Sequence, residues 1–341
     1  MNLSMTTPDL NSSYLDPEDE MCDNHEVEQF ESFSIPVFFA LVITLSLVGN
    51  ILVLVILALY ENIKSLTNIF ILNLAVSDLV FTTCLPFWAI YHVHGWLFSD
   101  VVCKIVSFVF FVGFYSSVLF LTVMTIYRYI VVVHNFSDLN NRKVQTGILV
   151  STFMWMLSIV AALPALLHMT VFDSPDEEDD SLKSCIYDSK VWQTITTFQQ
   201  NVFFLVAFAV KAFCYIQILS KIKQTQYKTK NRAVKLVFSV VAVFYIGWIP
   251  YNVVIFLKML GDHLVPPFHE CLPAIYLEYA FCFSRLVAFS HCCLNPVFYA
   301  FVGGKFRSHL KSVLCRLFTR KTVNEEQPMQ MQNPNSQASM Y

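Results

Sequence analysis

Several polar residues that could do chemistry stand inside long apolar stretches of this sequence. Asp78 ends the run Leu-Asn-Leu-Ala-Val-Ser-Asp, and a charge in such surroundings is costly and usually functional. Its expected partners are polar groups of other apolar stretches, namely Asn50, Ser117 and Asn295. Two interpretations stay open: a cation site, or a hydrogen-bond network around a protonated carboxyl group.

Two cations, Lys211 and Arg285, lie in similar apolar surroundings. We expect the Lys211 ammonium group to reach inward towards the membrane surface, and we assign it no function. The run Ser290-His291-Cys292-Cys293 holds reactive groups, but it lies within an apolar stretch, and no base–nucleophile pair is predicted to face water. We therefore expect neither an enzyme nor a cofactor.

The composition indicates a membrane environment for these residues. Of 341 residues, 56% are hydrophobic and 14% are charged, whereas a soluble domain carries about 25% charged residues. The mean hydropathy is +0.55. These values exclude a soluble two-domain enzyme, which the length alone would suggest. No 10-residue alternating pattern of a membrane barrel is seen, so we expect an all-α membrane protein.

Seven stretches are apolar enough for membrane helices, which need about 20 residues each. They are Ile35–Leu59, Ile69–Ile90, Ile105–Ile126, Val144–Phe172, Val191–Ser220, Leu236–Leu257 and Tyr279–Val302. The sequence thus predicts a seven-transmembrane helix bundle over residues 35–302, preceded by an acidic tail over residues 1–34. Residues 303–317 form a basic amphipathic stretch that should lie on the membrane as a short eighth helix. Residues 318–341 are predicted to be a disordered cytoplasmic tail.

Charge predicts the orientation, because Lys and Arg concentrate on the cytoplasmic side. The first 34 residues contain nine Asp and Glu and no Lys or Arg. With this tail outside, the outer segments hold 20 acidic and 4 basic residues, and the inner segments hold 4 acidic and 16 basic residues. We expect an extracellular N-terminus, a cytoplasmic C-terminus and no cleavable signal peptide.

Four of the ten cysteines lie on the predicted outer side: Cys22, Cys103, Cys185 and Cys271. They can pair in three ways. Joining Cys103 to Cys185 would pin the loop between spans four and five over the bundle and would leave Cys22 for Cys271, while free thiols are the alternative. Covalent modification is predicted by glycosylation signals at Asn2 and Asn11 and by palmitoylation at Cys315, where an unmodified thiol is equally consistent.

The motifs within residues 35–317, taken in order, resemble those of the rhodopsin-like (class A) G protein-coupled receptors. They are Gly49-Asn50, the run ending at Asp78, Cys103, Arg128, Trp155, Trp248 with Pro250, and Asn295-Pro296 with Tyr299. Within that family, Leu85-Pro86-Phe87-Trp88, the outer cysteines and the acidic tail resemble the chemokine receptors. Stretches such as Leu277-Glu278-Tyr279-Ala280 are most similar to the lymphotactin (XC-type) branch.

The sequence departs from the family pattern at several positions. Tyr127 stands where most members carry an Asp, so the ion pair that restrains the neighbouring Arg128 in the resting state cannot form. Arg128 is therefore either less restrained or held by another group. Arg285 stands at a position often held by Glu. The resemblance implies a sodium site at Asp78 and Ser117, but His291 and Cys292 stand where class A receptors usually place the Asn and Ser that complete this site, which argues against sodium binding.

The resemblance implies a basic chemokine ligand, attracted by the acidic tail and by the five consecutive acids of residues 176–180. Tyr14 resembles a sulfation site. The residues expected to contact the ligand are Tyr14, Asp16, Glu18, Asp19, Glu20, Trp88, Phe110, Tyr251, Glu278 and Arg285. A solvated tail without a partner is the alternative interpretation.

The resemblance also implies activation of a Gi-type heterotrimeric G protein, with arrestin as a further partner, at the plasma membrane. The residues expected to change packing or to meet the G protein are Asp78, Arg128, Tyr215, Phe244, Trp248, Pro250, Asn295, Pro296 and Tyr299. A CC-type receptor, a non-signalling chemokine scavenger suggested by Tyr127, and a channel or transporter are the alternatives. No nucleic-acid partner is expected.

Overall fold

The computed structural model describes residues 25–62, 65–134, 143–172, 183–225, 231–302, 308–310 and 312. Within these ranges the chain is almost entirely helical. The helices are α1 His25–Tyr60, α2 Leu66–Thr82, α3 Leu85–His94, α4 Asp100–Val133, α5 Lys143–His168, α6 Lys190–Thr225, α7 Asn231–Asp262, α8 Cys271–Phe289 and α9 His291–Val302. The strands are β1 Met169–Phe172 and β2 Ser184–Tyr187.

These helices form seven candidate membrane spans in the described part of the chain, which confirms the predicted seven-helix bundle. Two spans consist of two helices each: α2 with α3, and α8 with α9. Pro86 explains the first interruption. A proline lacks the amide hydrogen and clashes with the carbonyl group four residues earlier, and α2 ends at that residue, Thr82.

The fourth span ends earlier than the sequence suggests. Residues 169–172 were predicted to continue the helix to Phe172, but they form β1, which pairs antiparallel with β2. Hydrophobicity alone does not distinguish a short apolar strand from the end of a helix. The pairing with β2 stabilises the extended backbone. The Asp100 carboxylate adds to this, because it accepts hydrogen bonds from Thr170 Oγ1 at 2.7 Å and from the Val171 amide at 3.1 Å.

A disulfide between Cys103 and Cys185, the pairing that the sequence favours, anchors this hairpin to the N-terminal end of α4. The distribution of Lys and Arg predicts that this end of the bundle is extracellular, and we call it the outer end. Cys185 lies opposite Val171 in the strand register. The two half-cystines are 0% and 4% exposed. The hairpin is therefore fixed over the outer end of the bundle, where it forms part of the wall of the cavity described below.

Helix α1 begins at His25, ten residues before the apolar stretch that predicted the first span. Its early turns bring part of the acidic tail sequence against neighbouring helices, where Glu31 contacts His92 of α3 and Arg285 of α8. The apolar segment of α4 is buried over a larger share of its residues than the apolar segment of any other described span. The bundle thus surrounds α4, and α1 extends beyond the membrane core on the outer side.

Candidate functional site

An outer cavity of about 190 Å³ opens between the helices and the β hairpin. Four residues predicted to contact a ligand line it: Trp88 of α3, Phe110 of α4, Tyr251 of α7 and Arg285 of α8. The other lining residues are Phe39, His92, Ser107, Phe111, Met169, Tyr187, Phe281 and Phe289. The structure therefore brings residues from four spans to one mostly aromatic site, as ligand pockets require.

Glu278, the fifth predicted ligand residue of the bundle, lies apart from the lining of this cavity. Its carboxylate accepts a hydrogen bond from Lys258 Nζ at 2.6 Å. Lys258 lines a neighbouring depression of about 240 Å³ between α6 and α7, which also borders Tyr251. Glu278 therefore lies outside the cavity and is paired with Lys258, which borders the neighbouring depression.

Three polar side chains, those of Glu31, His92 and Arg285, form a cluster at the wall of the cavity. Arg285 Nη2 donates to Glu31 Oε1 at 3.0 Å, and His92 Nδ1 lies 3.6 Å from Glu31 Oε2. The guanidinium group also lies over the Phe281 ring, 4.8 Å from its centroid. Sequence reasoning missed Glu31 and His92. The position of Glu31, an acid four residues before the predicted first span, could have indicated a contact with a buried cation. The predicted boundary of the acidic tail, however, placed Glu31 outside the helices.

Burial also affects the cavity wall formed by β2. Tyr187 lies outside the membrane-spanning segments, and burial raises the pKa of its hydroxyl to about 12. Its phenol therefore stays protonated at neutral pH and offers an uncharged polar group to the cavity.

An aromatic chain leads from the cavity towards the core. The Trp88 and Phe110 ring centroids are 6.2 Å apart, Phe110 lies 4.9 Å from Phe81, and Phe81 lies 6.4 Å from Trp248. Tyr251 also meets Trp248, at 5.5 Å and nearly perpendicular. A ligand that displaces rings in the cavity can therefore change the packing of Trp248 through direct contacts.

Trp248 is fully buried within the cluster that the resemblance linked to activation. Its ring lies 4.4 Å from Phe114, 5.8 Å from Phe244 and 5.3 Å from His291, measured between centroids. Phe244 is 5.2 Å from the same histidine. His291 therefore connects the aromatic cluster of α7 to the polar network around Asp78. Pro250 follows Trp248 by two residues inside α7, which continues to Asp262.

Asp78 is completely buried and hydrogen-bonded by two of its three expected partners. Asn295 Nδ2 donates to Asp78 Oδ2 at 2.7 Å, and Ser117 Oγ donates to Oδ1 at 3.3 Å. The expected contact with Asn50 is wrong, because its amide group donates to the carbonyl oxygens of Ser46 and Cys292 instead. His291 Nε2 takes the remaining direction, 3.9 Å from Oδ1.

This donor set does not suit a sodium ion. Hard cations prefer several oxygen ligands, but an amide N–H of Asn295 already donates to one Asp78 oxygen, and an imidazole nitrogen faces the other. The His291 Nδ1 atom contacts the Ala288 carbonyl at 2.8 Å, so Nδ1 carries a hydrogen. The structure favours the hydrogen-bond network over the cation site.

The inner end of α4 carries Arg128, and no carboxylate occupies the adjacent position 127. The Tyr127 ring packs edge-on against Phe70 of α2, with centroids 6.2 Å apart. Arg128 lies 6.0 Å from the Tyr127 ring centroid, and its Nε atom has no hydrogen-bond partner. Tyr215 is nearby on α6, where its hydroxyl lies 3.5 Å from Thr125 Oγ1. Tyr299 lies on α9, but its side chain is outside the described part of the structure.

The prediction that the Lys211 side chain reaches the membrane surface is wrong. Its side chain is 1% exposed, and Nζ donates to the Tyr245 hydroxyl at 2.8 Å and to the Val118 carbonyl at 3.2 Å. The ammonium group also lies 4.9 Å from the Tyr245 ring centroid. These acceptors compensate part of the cost of burial, so the side chain does not extend to the membrane surface.

Comparison with known proteins identifies the family. The model of the 7 transmembrane receptor (rhodopsin family) matches residues 49–299. Chemokine XC receptor 1 of Homo sapiens is 40% identical over 89% of this chain and 89% of its own length. The same receptor of Mus musculus is 40% identical over 87% of this chain and 88% of its own. C-C chemokine receptor type 8 of Homo sapiens is 35% identical over 92% of this chain and 87% of its own length. This chain is a chemokine receptor of the rhodopsin family.

The chemokine receptors are signalling proteins and not enzymes, which agrees with the sequence analysis. The receptor is therefore a multi-pass membrane protein with seven spans. Its inward-facing motifs and its outer cavity belong to one bundle, and the Cys103–Cys185 disulfide closes the outer end.

Several predicted sites of the receptor lie outside the described residues and stay predictions. They are Tyr14, Asp16, Glu18, Asp19, Glu20, Cys22, Asn2, Asn11 and Cys315. Cys271, the predicted partner of Cys22, is disulfide-bonded. Of the predicted eighth helix over residues 303–317, the structure describes residues 308–310 and 312 as helical.

Proposed function

We propose that this receptor binds an XC-type, lymphotactin-like chemokine on its outer side and activates a Gi-type G protein on its inner side. It acts at the plasma membrane with its N-terminus outside, and arrestin is a further inner partner. Calcium mobilisation and chemotaxis are the expected cellular responses. The observation that carries the proposal is the outer cavity, where Trp88, Phe110, Tyr251 and Arg285 meet and connect to Trp248.

Ligand capture would proceed in two stages. The acidic tail and the acidic segment of residues 176–180 attract the basic body of the chemokine, and complementary charges of this kind increase the association rate. The flexible end of the ligand then enters the cavity. At about 190 Å³ the cavity is smaller than the roughly 300 Å³ at which small-molecule pockets begin, so a short segment suffices to fill it.

Signalling requires that the ligand bind one arrangement of the bundle better than another. The aromatic contacts make Trp248 and Phe244 responsive to the cavity, and His291 passes a change in their packing to Asp78 and Asn295. At the inner end, Arg128 and Tyr215 would meet the G protein only after the helices move apart, since Tyr215 is 8% exposed and Arg128 Nε is buried. The six basic residues of the segment from Lys221 to Lys235 would attract the same partner and anionic lipid.

The preference for an XC-type ligand rests on identity. The XC receptors share 40% of aligned residues, whereas C-C chemokine receptor type 8 shares 35%. A CC-type ligand is the closest alternative. A panel of XC-, CC- and CX3C-type chemokines applied to transfected cells, with calcium release as the readout, separates the two. A response to XC-type chemokine that pertussis toxin abolishes supports the proposal, and a response to CC-type ligands alone contradicts it.

A non-signalling scavenger is the second candidate function, and Tyr127 is the observation that favours it, because the position lacks the usual acid. A scavenger would bind and internalise the chemokine without any G protein response. Labelled chemokine uptake measured beside calcium release distinguishes the two functions. An epitope tag at Met1 that is stained on intact cells tests the proposed orientation in the same experiment.

A further inference from the structure

The ion pair between Glu31 and Arg285 lies at the wall of the outer cavity. Arg285 comes from α8 and Glu31 from the early turns of α1, and their side chains are 10% and 20% exposed. Arg285 lines the cavity, but Glu31 does not. Arg285 is the one Lys or Arg among the described residues that line the cavity, and the receptor supplies its own carboxylate to it.

The cavity also contains donors that lack acceptors. Arg285 Nε and Trp88 Nε1 are buried and have no hydrogen-bond partner in the described structure. Both groups can only donate, and a buried donor without a partner costs free energy. An occupant that carries acceptor oxygens can pair with these atoms once the side chains that cover them move, whereas a protonated amine, which can only donate, cannot.

The position of the charges decides between an acidic and a basic occupant. An amine in the cavity would meet the Arg285 guanidinium first and would be repelled by it. None of the described residues that line the cavity is an Asp or Glu, so an amine that drew Glu31 away would leave Arg285 without an anion. A carboxylate would replace one anion by another, and a bidentate guanidinium–carboxylate pair is a strong one.

We propose that the chemokine segment entering this cavity carries a carboxylate, which takes the place of Glu31 on Arg285. Glu31 acts as an internal competitor that a ligand without an acidic group cannot displace. This inference rests on the proposed function, since it specifies the chemistry that the same cavity recognises. This competition reduces the apparent affinity for the ligand in proportion to the fraction of time that Arg285 is free. If Glu31 occupies Arg285 for about nine-tenths of the time, the apparent affinity is about tenfold lower.

Two matched probes test the proposal: a fluorescent XC-type chemokine whose flexible end carries a single Glu, and the same protein with Gln at that position. Both retain the basic body that the acidic tail attracts. We expect Glu31→Gln to increase the affinity for the Glu probe by about threefold to tenfold and to leave the Gln probe unchanged. Unchanged or weaker binding of the Glu probe, or an equal gain for both probes, would overturn the inference.

Asp188→Asn provides the matched control, because it also removes one outer carboxylate. Asp188 Oδ2 lies 3.0 Å from His168 Nδ1, and neither residue lines the cavity. It should change neither probe's affinity by more than twofold. A gain for the Glu probe in Asp188→Asn as large as in Glu31→Gln would show an effect of net charge alone and would overturn the inference.

A reversed pair keeps the test valid if Glu31→Gln disturbs folding. Glu31→Arg combined with Arg285→Glu retains the ion pair with opposite polarity, and we expect it to bind the Gln probe better than the Glu probe. A continued preference for the Glu probe would contradict the inference. A wild-type receptor that is stained at the cell surface but binds neither probe would overturn the proposed function, and the inference with it.

Discussion

Lys211 of α6 and Tyr245 of α7 are joined by a hydrogen bond of 2.8 Å in the middle of the membrane bundle. The Val118 carbonyl of α4 is the second acceptor of the same ammonium group, at 3.2 Å. The three residues connect three helices near the aromatic cluster, because the Tyr245 ring is 5.7 Å from Phe244. The contact therefore lies beside the cluster through which the proposed signal passes.

This contact predicts an unusual order of stabilities. Tyr245→Phe leaves the buried ammonium group with one acceptor fewer and should destabilise the receptor by about 1–3 kcal/mol. Lys211→Met removes the charge together with its need for acceptors, and such replacements are often neutral or stabilising. Thermal unfolding of the purified receptor in detergent measures both. The double variant should be at least as stable as Tyr245→Phe; additive losses would contradict the account.

Removal of the Cys103–Cys185 disulfide should abolish chemokine binding. The bond closes a loop of 82 residues, for which the chain-entropy estimate of stabilisation is about 4–5 kcal/mol. It also holds the hairpin whose residues Met169 and Tyr187 line the cavity. Cys185→Ala tests this by saturation binding at matched surface levels. Cys214→Ala, which removes a buried free thiol of α6, should retain binding; equal loss in both variants would contradict the role of the disulfide.

Sodium should have no effect on agonist affinity, since the surroundings of Asp78 do not suit the ion. Replacing sodium chloride by choline chloride in a binding assay should leave the wild-type affinity unchanged. The double substitution His291→Asn with Cys292→Ser restores the residues usual in class A receptors and should introduce sodium sensitivity. A wild-type affinity that changes with sodium would show that the ion binds despite His291.

Tyr127 predicts an unrestrained Arg128 and therefore raised basal activity. Tyr127→Asp would provide the missing carboxylate beside the guanidinium group and should lower ligand-independent guanine-nucleotide exchange. Tyr127→Phe keeps the ring that packs against Phe70 and adds no charge, so its basal rate should match the wild type. Equal basal rates in all three proteins would refute the idea that the missing ion pair matters.

The sequence predicted the fold well because its signals are local. Twenty apolar residues and the distribution of Lys and Arg identify spans without knowledge of their neighbours. The end of the fourth span at His168 was missed because the next residues are apolar in either conformation. Their strand geometry depends on β2 and on Asp100, which tertiary structure brings together.

The polar contacts were harder to predict because they join distant segments. Ser117 and Asn295 were correctly expected beside Asp78. The sequence did not show that Asn50, an equally polar residue of another span, bonds to backbone carbonyl groups instead. The partners of Lys211 and Arg285 depend on helix rotation and on the early start of α1. Such features are set by packing, which hydropathy does not report.

Coupling of chemokine binding to G protein activation is measured by guanine-nucleotide exchange on a Gi-type G protein in membranes, beside binding of the labelled chemokine. We expect an XC-type chemokine to stimulate exchange through the wild-type receptor. We also expect Arg128→Ala to bind the chemokine with unchanged affinity but to lose the exchange. Binding without exchange in the wild type, or full exchange through Arg128→Ala, would contradict this coupling.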